Sequence, residues 1–188
     1  MYFEKFIGID WSGDKNKFQR GISVAECLRG NKVPQIVKPI DDKYWTRTTL
    51  IEWLYKEIKS QRNLIGFDFA FSYPFYDRCS YFPGIKDSPI NSEKLWKLIE
   101  DNNTNAKNFY GGEIWASKTY GKFFNSPKLK GSHFASRRRC TERFAKKKIL
   151  SPSPTFNCVG PGAVGTGTLA GMRILNLLKN KTKIWPFD

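Results

Sequence analysis

The stretch Phe3-Glu4-Lys5-Phe6-Ile7-Gly8-Ile9-Asp10, followed by Trp11-Ser12-Gly13-Asp14, decides how the chain is read. Phe6, Ile7 and Ile9 make a short apolar run that stops at a turn-forming segment, which predicts a strand over Phe3 to Asp10. Asp10 is therefore placed at a strand end. A second run, Asn63 to Phe69, reads as a buried strand, and it carries Asp68 at its own end.

Between these two acids the pattern predicts a meander and a helix. Phe18 to Leu28 alternates through Ile22, Val24 and Leu28, and Gly30-Asn31 is a hairpin signal leading into Val33 to Ile40. Pro34 and Pro39 suit an edge strand better than a central one. From Thr49 to Ser60 the period becomes helical, with Leu50, Ile51, Leu54 and Ile58 on one stripe, and Thr49 with Glu52 fits a capping box.

Beyond the second acid the regularity fades. Residues 75–155 are rich in Tyr, Phe, Asn, Gly and Lys, with one helix expected over Ser92 to Glu100, and read as an insertion within a single domain spanning 1–188. Phe156 to Val159 reads as extended and Gly160 to Gly167 as a glycine-rich turn. Thr168 to Leu178 is a helix, and Thr182 to Phe187 a last strand ending at Asp188.

The charge narrows the partners. The 32 Lys and Arg against 17 Asp and Glu leave +15, an excess that attracts polyanions through phosphate contacts. Eleven of the basic residues fall between Lys118 and Lys148, where Glu142 is the lone acid. Arg137, Arg138, Arg139, Arg143, Lys146 and Lys147 are the candidate nucleic-acid contacts, because guanidinium forks match phosphate oxygens. The plainer reading of such a run is a solvated face. No stretch is long and apolar enough for a membrane helix, and no signal-peptide pattern opens the chain, so a cytoplasmic protein without membrane contact is expected. The four scattered cysteines form no CxxC pair, which argues against a zinc site and fits reduced thiols. His133 is the sole histidine.

The motifs Phe6-Ile7-Gly8-Ile9-Asp10-Trp11-Ser12-Gly13, Arg47-Thr48, Ile65-Gly66-Phe67-Asp68 through Pro74, and Val159-Gly160-Pro161-Gly162 through Trp185-Pro186-Phe187-Asp188 together resemble a largely uncharacterised bacterial family of predicted RNase H-fold nucleases. The resemblance implies an α/β, RNase H-like mixed sheet: a three-strand meander, a helix, then parallel strands. It also implies a metal-dependent nuclease acting on DNA or RNA; Asp10 and Asp68 are the candidate catalytic metal ligands, and Asp188, at the end of the last expected strand, is a third candidate that reads equally as a frayed surface acid.

Apart from the resemblance, paired carboxylates at strand ends supply the hard oxygen ligands that Mg²⁺ or Mn²⁺ prefer, and a two-ion site there would activate water against a phosphodiester. Taken singly, each aspartate is read more plainly as bonding its own turn. The fold usually continues into a C-terminal helix that brings a last acid, and no helix follows Asp188. A truncated or split chain, a partner chain completing the fold, completion by Asp188, Asp14 or Glu142, or a degenerate site all stay open. A catalytically inactive nucleic-acid-binding or assembly subunit is the alternative function.

Gly160-Pro161-Gly162-Ala163-Val164-Gly165 also matches the GxGxxG phosphate loop, with Gly160, Gly162 and Gly165 as the glycines of a nucleotide-cofactor site. A tight turn into a helix is the simpler reading, and the helix N-terminus can still hold a phosphate. The aromatics around Asp68 stand where the second phosphate loop of the actin and sugar-kinase superfamily needs glycines, which argues against ATP hydrolysis.

Overall fold

The computed structural model describes residues 2–30, 33–148 and 151–187. Four strands form one mixed sheet: β1 (Lys5–Asp10), β2 (Ser23–Leu28), β3 (Gln35–Val37) and β4 (Asn63–Phe67), in spatial order β3-β2-β1-β4. β1 and β2 pair antiparallel, as do β2 and β3, while β4 lies parallel to β1 with Ile9 opposite Phe67. This register sets the two acids side by side, since Asp10 and Asp68 each follow a paired residue.

The helix between β3 and β4, α1 (Arg47–Ser60), starts two residues before the expected Thr49. Its capping box is Thr46 with Thr49 rather than Thr49 with Glu52: Thr46 Oγ1 accepts from the Thr49 N–H, and Thr49 Oγ1 accepts from the Thr46 N–H. β3 is the short edge strand that Pro34 and Pro39 imply, because neither proline can donate to a ladder.

The aromatic middle of the chain holds α2 (Ser92–Asp101), three short 3₁₀ turns and α3 (Cys140–Lys146). Phe82, Leu95, Trp96, Ile114, Phe123, Phe124 and Phe156 join Ile7, Ile9, Val24, Leu50 and Leu54 in one apolar core. Most of the aromatics of this stretch are thus packed into or against that core. α4 (Gly165–Leu178) begins three residues before the expected Thr168 and packs against α2, with Arg173 Nε bonding Glu100 Oε2 at 2.7 Å.

Two expected strands are absent from the described residues. Residues 156–159 contribute a single bridge, Asn125 to Asn157, because the Asn157 N–H turns back to Pro154 O. Thr182 to Phe187 forms turns rather than a strand: Pro186 offers no ladder donor, and the Phe187 N–H donates to Ile184 O. Asp188 lies outside the described residues. No helix among the described residues is long and apolar enough to cross a membrane.

The sheet has unequal faces. Ile7, Ile9 and Val24 are buried on one, whereas Phe6, Gly8, Leu64 and Gly66 are exposed on the other. β4 is paired only on the β1 side. Asp10 and Asp68 follow the alternation onto the exposed face.

Candidate metal centre and the groove around it

Asp10 and Asp68 come together. Their side chains lie within hydrogen-bonding reach of each other, and the Trp11 N–H donates to Asp68 Oδ1 at 2.8 Å. Partial burial pushes the Asp68 carboxyl above the usual carboxylate range. The Trp11 N–H opposes this, and the neighbouring Asp10 carboxylate adds to it.

The loop after β1 is held from the packed side of the molecule. Arg47 is 1% exposed, and its guanidinium donates to Ser12 O, Asp14 O (2.9 Å) and Asn108 O (2.6 Å) while lying over the Trp11 ring. Burial lowers its pKa to about 10, against the pull of Asp14, so it remains charged at neutral pH. Trp11 Nε1 donates to Gly167 O in the first turn of α4. A Cβ on Gly13 would collide with the backbone of Thr166 and Gly167, so this close approach requires glycine. The sequence carried no role for Arg47, Trp11 or Gly13 beyond their place in the motifs. A charged residue in the first turn of an apolar helix is the signal that would have drawn attention to Arg47.

Two cavities flank Asp68. One, about 380 Å³, runs from Trp11, Gly13 and Asp14 to Thr166 and Gly167 at the start of α4. The other, about 480 Å³, is bounded by Arg139, Thr141, Glu142, Pro152 and Ser153. Asp68, Phe69 and Val164 line both, so the carboxylate sits where the two meet.

Of the other candidate acids, Asp14 lines the first cavity with its carboxylate bonded to the Asn16 backbone and side chain, contacts that hold it below the usual range. Glu142 lines the second, but both its oxygens accept from Arg139. Among the described residues no group of three or more His, Cys, Asp or Glu converges. A pair of carboxylates still fits Mg²⁺ or Mn²⁺, which keep several waters and commonly take one or two carboxylates plus substrate phosphates.

The basic candidates separate. Arg137 is 3% exposed and fully engaged: it bonds both oxygens of Asp77 and the carbonyls of Pro74, Ser80 and Tyr81. It holds the middle of the chain together and cannot reach a phosphate, contrary to the expectation from sequence. Arg138 donates to Ala135 O and Arg137 O. Arg143, Lys146 and Lys147 are exposed on or just after α3, and Arg139 lines the cavity beside Asp68. His133 packs edge-on against Phe123 and is held below its ordinary pKa by burial and by Arg137.

The glycine loop forms the tight turn into a helix that is the simpler reading of its sequence. Gly160 and Gly162 take positive φ in an exposed turn, and Gly165 starts α4 against Asn157 O and Cys158 Sγ. No strand precedes them, so the strand-loop-helix context of a dinucleotide site is missing among the described residues. Comparisons with protein-family models, with curated proteins and with solved structures found no match.

Proposed function

We propose that the chain is a divalent-metal-dependent nuclease on an RNase H-like α/β scaffold, cleaving a phosphodiester at Asp10 and Asp68. The observation that carries this reading is the convergence of the two carboxylates at parallel strand ends, with Asp68 where two cavities meet. The formal charge of +15 favours a polyanionic substrate of DNA or RNA.

Asp10 and Asp68 would hold Mg²⁺ or Mn²⁺, which when bound supplies Lewis-acid polarisation of a phosphoryl oxygen and a more acidic water. The protein's part is positional. Trp11 orients Asp68 through its backbone N–H, Arg47 fixes the loop that carries Trp11, and the α4 N-terminus faces the same cavity with a dipole that favours an anion.

The test is cleavage of end-labelled DNA and RNA oligonucleotides with Mn²⁺. Wild-type protein is expected to cut at least one of them, and Asp10→Asn and Asp68→Asn each to lower the rate by at least about 100-fold. No Mn²⁺-dependent cleavage of either strand overturns the reading. The second reading, a catalytically silent nucleic-acid-binding subunit, draws support from the presence of only two converging acids among the described residues. It predicts binding without cleavage and affinity indifferent to Asp10→Asn.

A further inference from the structure

We infer that the cavity on the α3 side of Asp68 is a phosphodiester subsite built on Arg139, and that the substrate is an oligonucleotide strand rather than a mononucleotide. This rests on the nuclease reading for its reaction but not for its binding chemistry.

Arg139 differs from its neighbours in how its donors are used. Arg137 spends every nitrogen inside the protein, and Arg138 donates only through Nη1, to the Ala135 and Arg137 carbonyls, with no carboxylate among the described residues to orient it. Arg139 is held at one edge only: its Nε donates to Glu142 Oε1 at 3.0 Å, and its backbone N–H donates to Glu142 Oε2 at 2.7 Å. Glu142 is 4% exposed, so the carboxylate that orients the guanidinium is itself fixed. Nη1 and Nη2 of Arg139 have no partner among the described residues. An oriented fork with both outer nitrogens unused is a ready receptor for two phosphate oxygens.

The surroundings agree with that ligand. Thr141 and Ser153 add hydroxyls to the same cavity, while Phe67 and Ala70 give it an apolar wall for a sugar or base. The cavity continues past Asp68 and Val164 into the one beside α4. A strand crossing Asp68 would therefore rest one phosphate toward α4, present the next at the carboxylate pair and give a third to Arg139. A mononucleotide would engage one of these places and leave the rest empty.

The test is fluorescence anisotropy with labelled oligothymidylate and oligouridylate of about 12 nucleotides, in EDTA across a series of NaCl concentrations. On whichever strand binds more tightly, Arg139→Ala is expected to weaken binding about tenfold and to flatten the log–log salt slope by about 0.7. Ser153→Asp, which puts a negative charge in the same cavity and spares the Arg139–Glu142 pair, is expected to give a comparable loss. Thymidine monophosphate is expected to compete at least about 100-fold more weakly than the oligomer. Unchanged affinity and slope in both variants, or a mononucleotide competing as well as the oligomer, overturns the subsite. The two readings fail separately: Arg139-dependent binding without Mn²⁺ cleavage leaves the subsite and removes the nuclease, whereas cleavage with an unchanged KM in Arg139→Ala does the reverse.

Discussion

The two faces of the sheet are written in similar residues and meet opposite fates. Ile7, Ile9 and Val24 lie at 3%, 3% and 0% exposure beneath the helices, while Phe6, Leu64 and Ile36 on the other face stand at 41%, 47% and 68%. β1 and β4 are apolar on both sides, the pattern of strands buried on both faces rather than of a sheet with a wet side. The packed face supplies the stability. The open face carries Asp10 and Asp68, and the positioning of those acids comes from the packed side, through Arg47, Trp11 and Gly13.

Substitutions that treat the faces alike should give unlike results. The largest expected effect is on the packed side: Ile9→Ala should cost about 3 kcal/mol in denaturant unfolding, and Arg47→Ala a similar amount, because it strips the Ser12, Asp14 and Asn108 carbonyls of a buried partner. Gly13→Ala forces the β1 loop off the α4 backbone and should cost about 1–3 kcal/mol. The same change at Gly8, where a Cβ meets nothing within 4 Å, should stay within about 0.5 kcal/mol of wild type, as should Ile36→Thr. Equal losses at Gly8 and Gly13 would break the contrast between the faces.

The smallest effect tests Asp68, and Asp77, whose loss also unpairs the buried Arg137 and costs more, supplies the opposite sign. Asp68 has its folded-state pKa raised, so its contribution to stability is full below the unfolded value and falls as pH rises through the folded one. Asp68→Asn should therefore melt slightly higher than wild type above the carboxylate range, and the difference should vanish in acid. Asp77 runs the other way. The hydrogen bonds from Arg137 hold it below the usual range, so the stability it brings is present above the unfolded value and lost as pH falls through the folded one. A pH series of melting temperatures for wild type, Asp68→Asn and Asp77→Asn separates the two signs.

Much of the sheet half was legible in the sequence, because period-2 and period-3.6 apolar patterns report burial directly: β1, β4, the edge character of β3 and the body of α1 all follow from them. The strand-end placement of Asp10 and Asp68 followed as well. The middle of the chain was not legible, since its order depends on long-range bonds such as Arg137 to Asp77 and Arg173 to Glu100, which leave no periodic trace. For the same reason Arg137, which looks like Arg138 and Arg139 in sequence, could not be recognised as interior. The strand expected near the C-terminus failed because an apolar alternation over so few residues yields to the turn around Pro186.

The central claim is that Asp10 and Asp68 form one cation site, and Mn²⁺ binding followed by electron paramagnetic resonance tests it most directly. Wild-type protein should remove free Mn²⁺ signal to a defined stoichiometry, with Asp10→Asn and Asp68→Asn each weakening binding at least about tenfold. Equal Mn²⁺ uptake by wild type and both variants would contradict it.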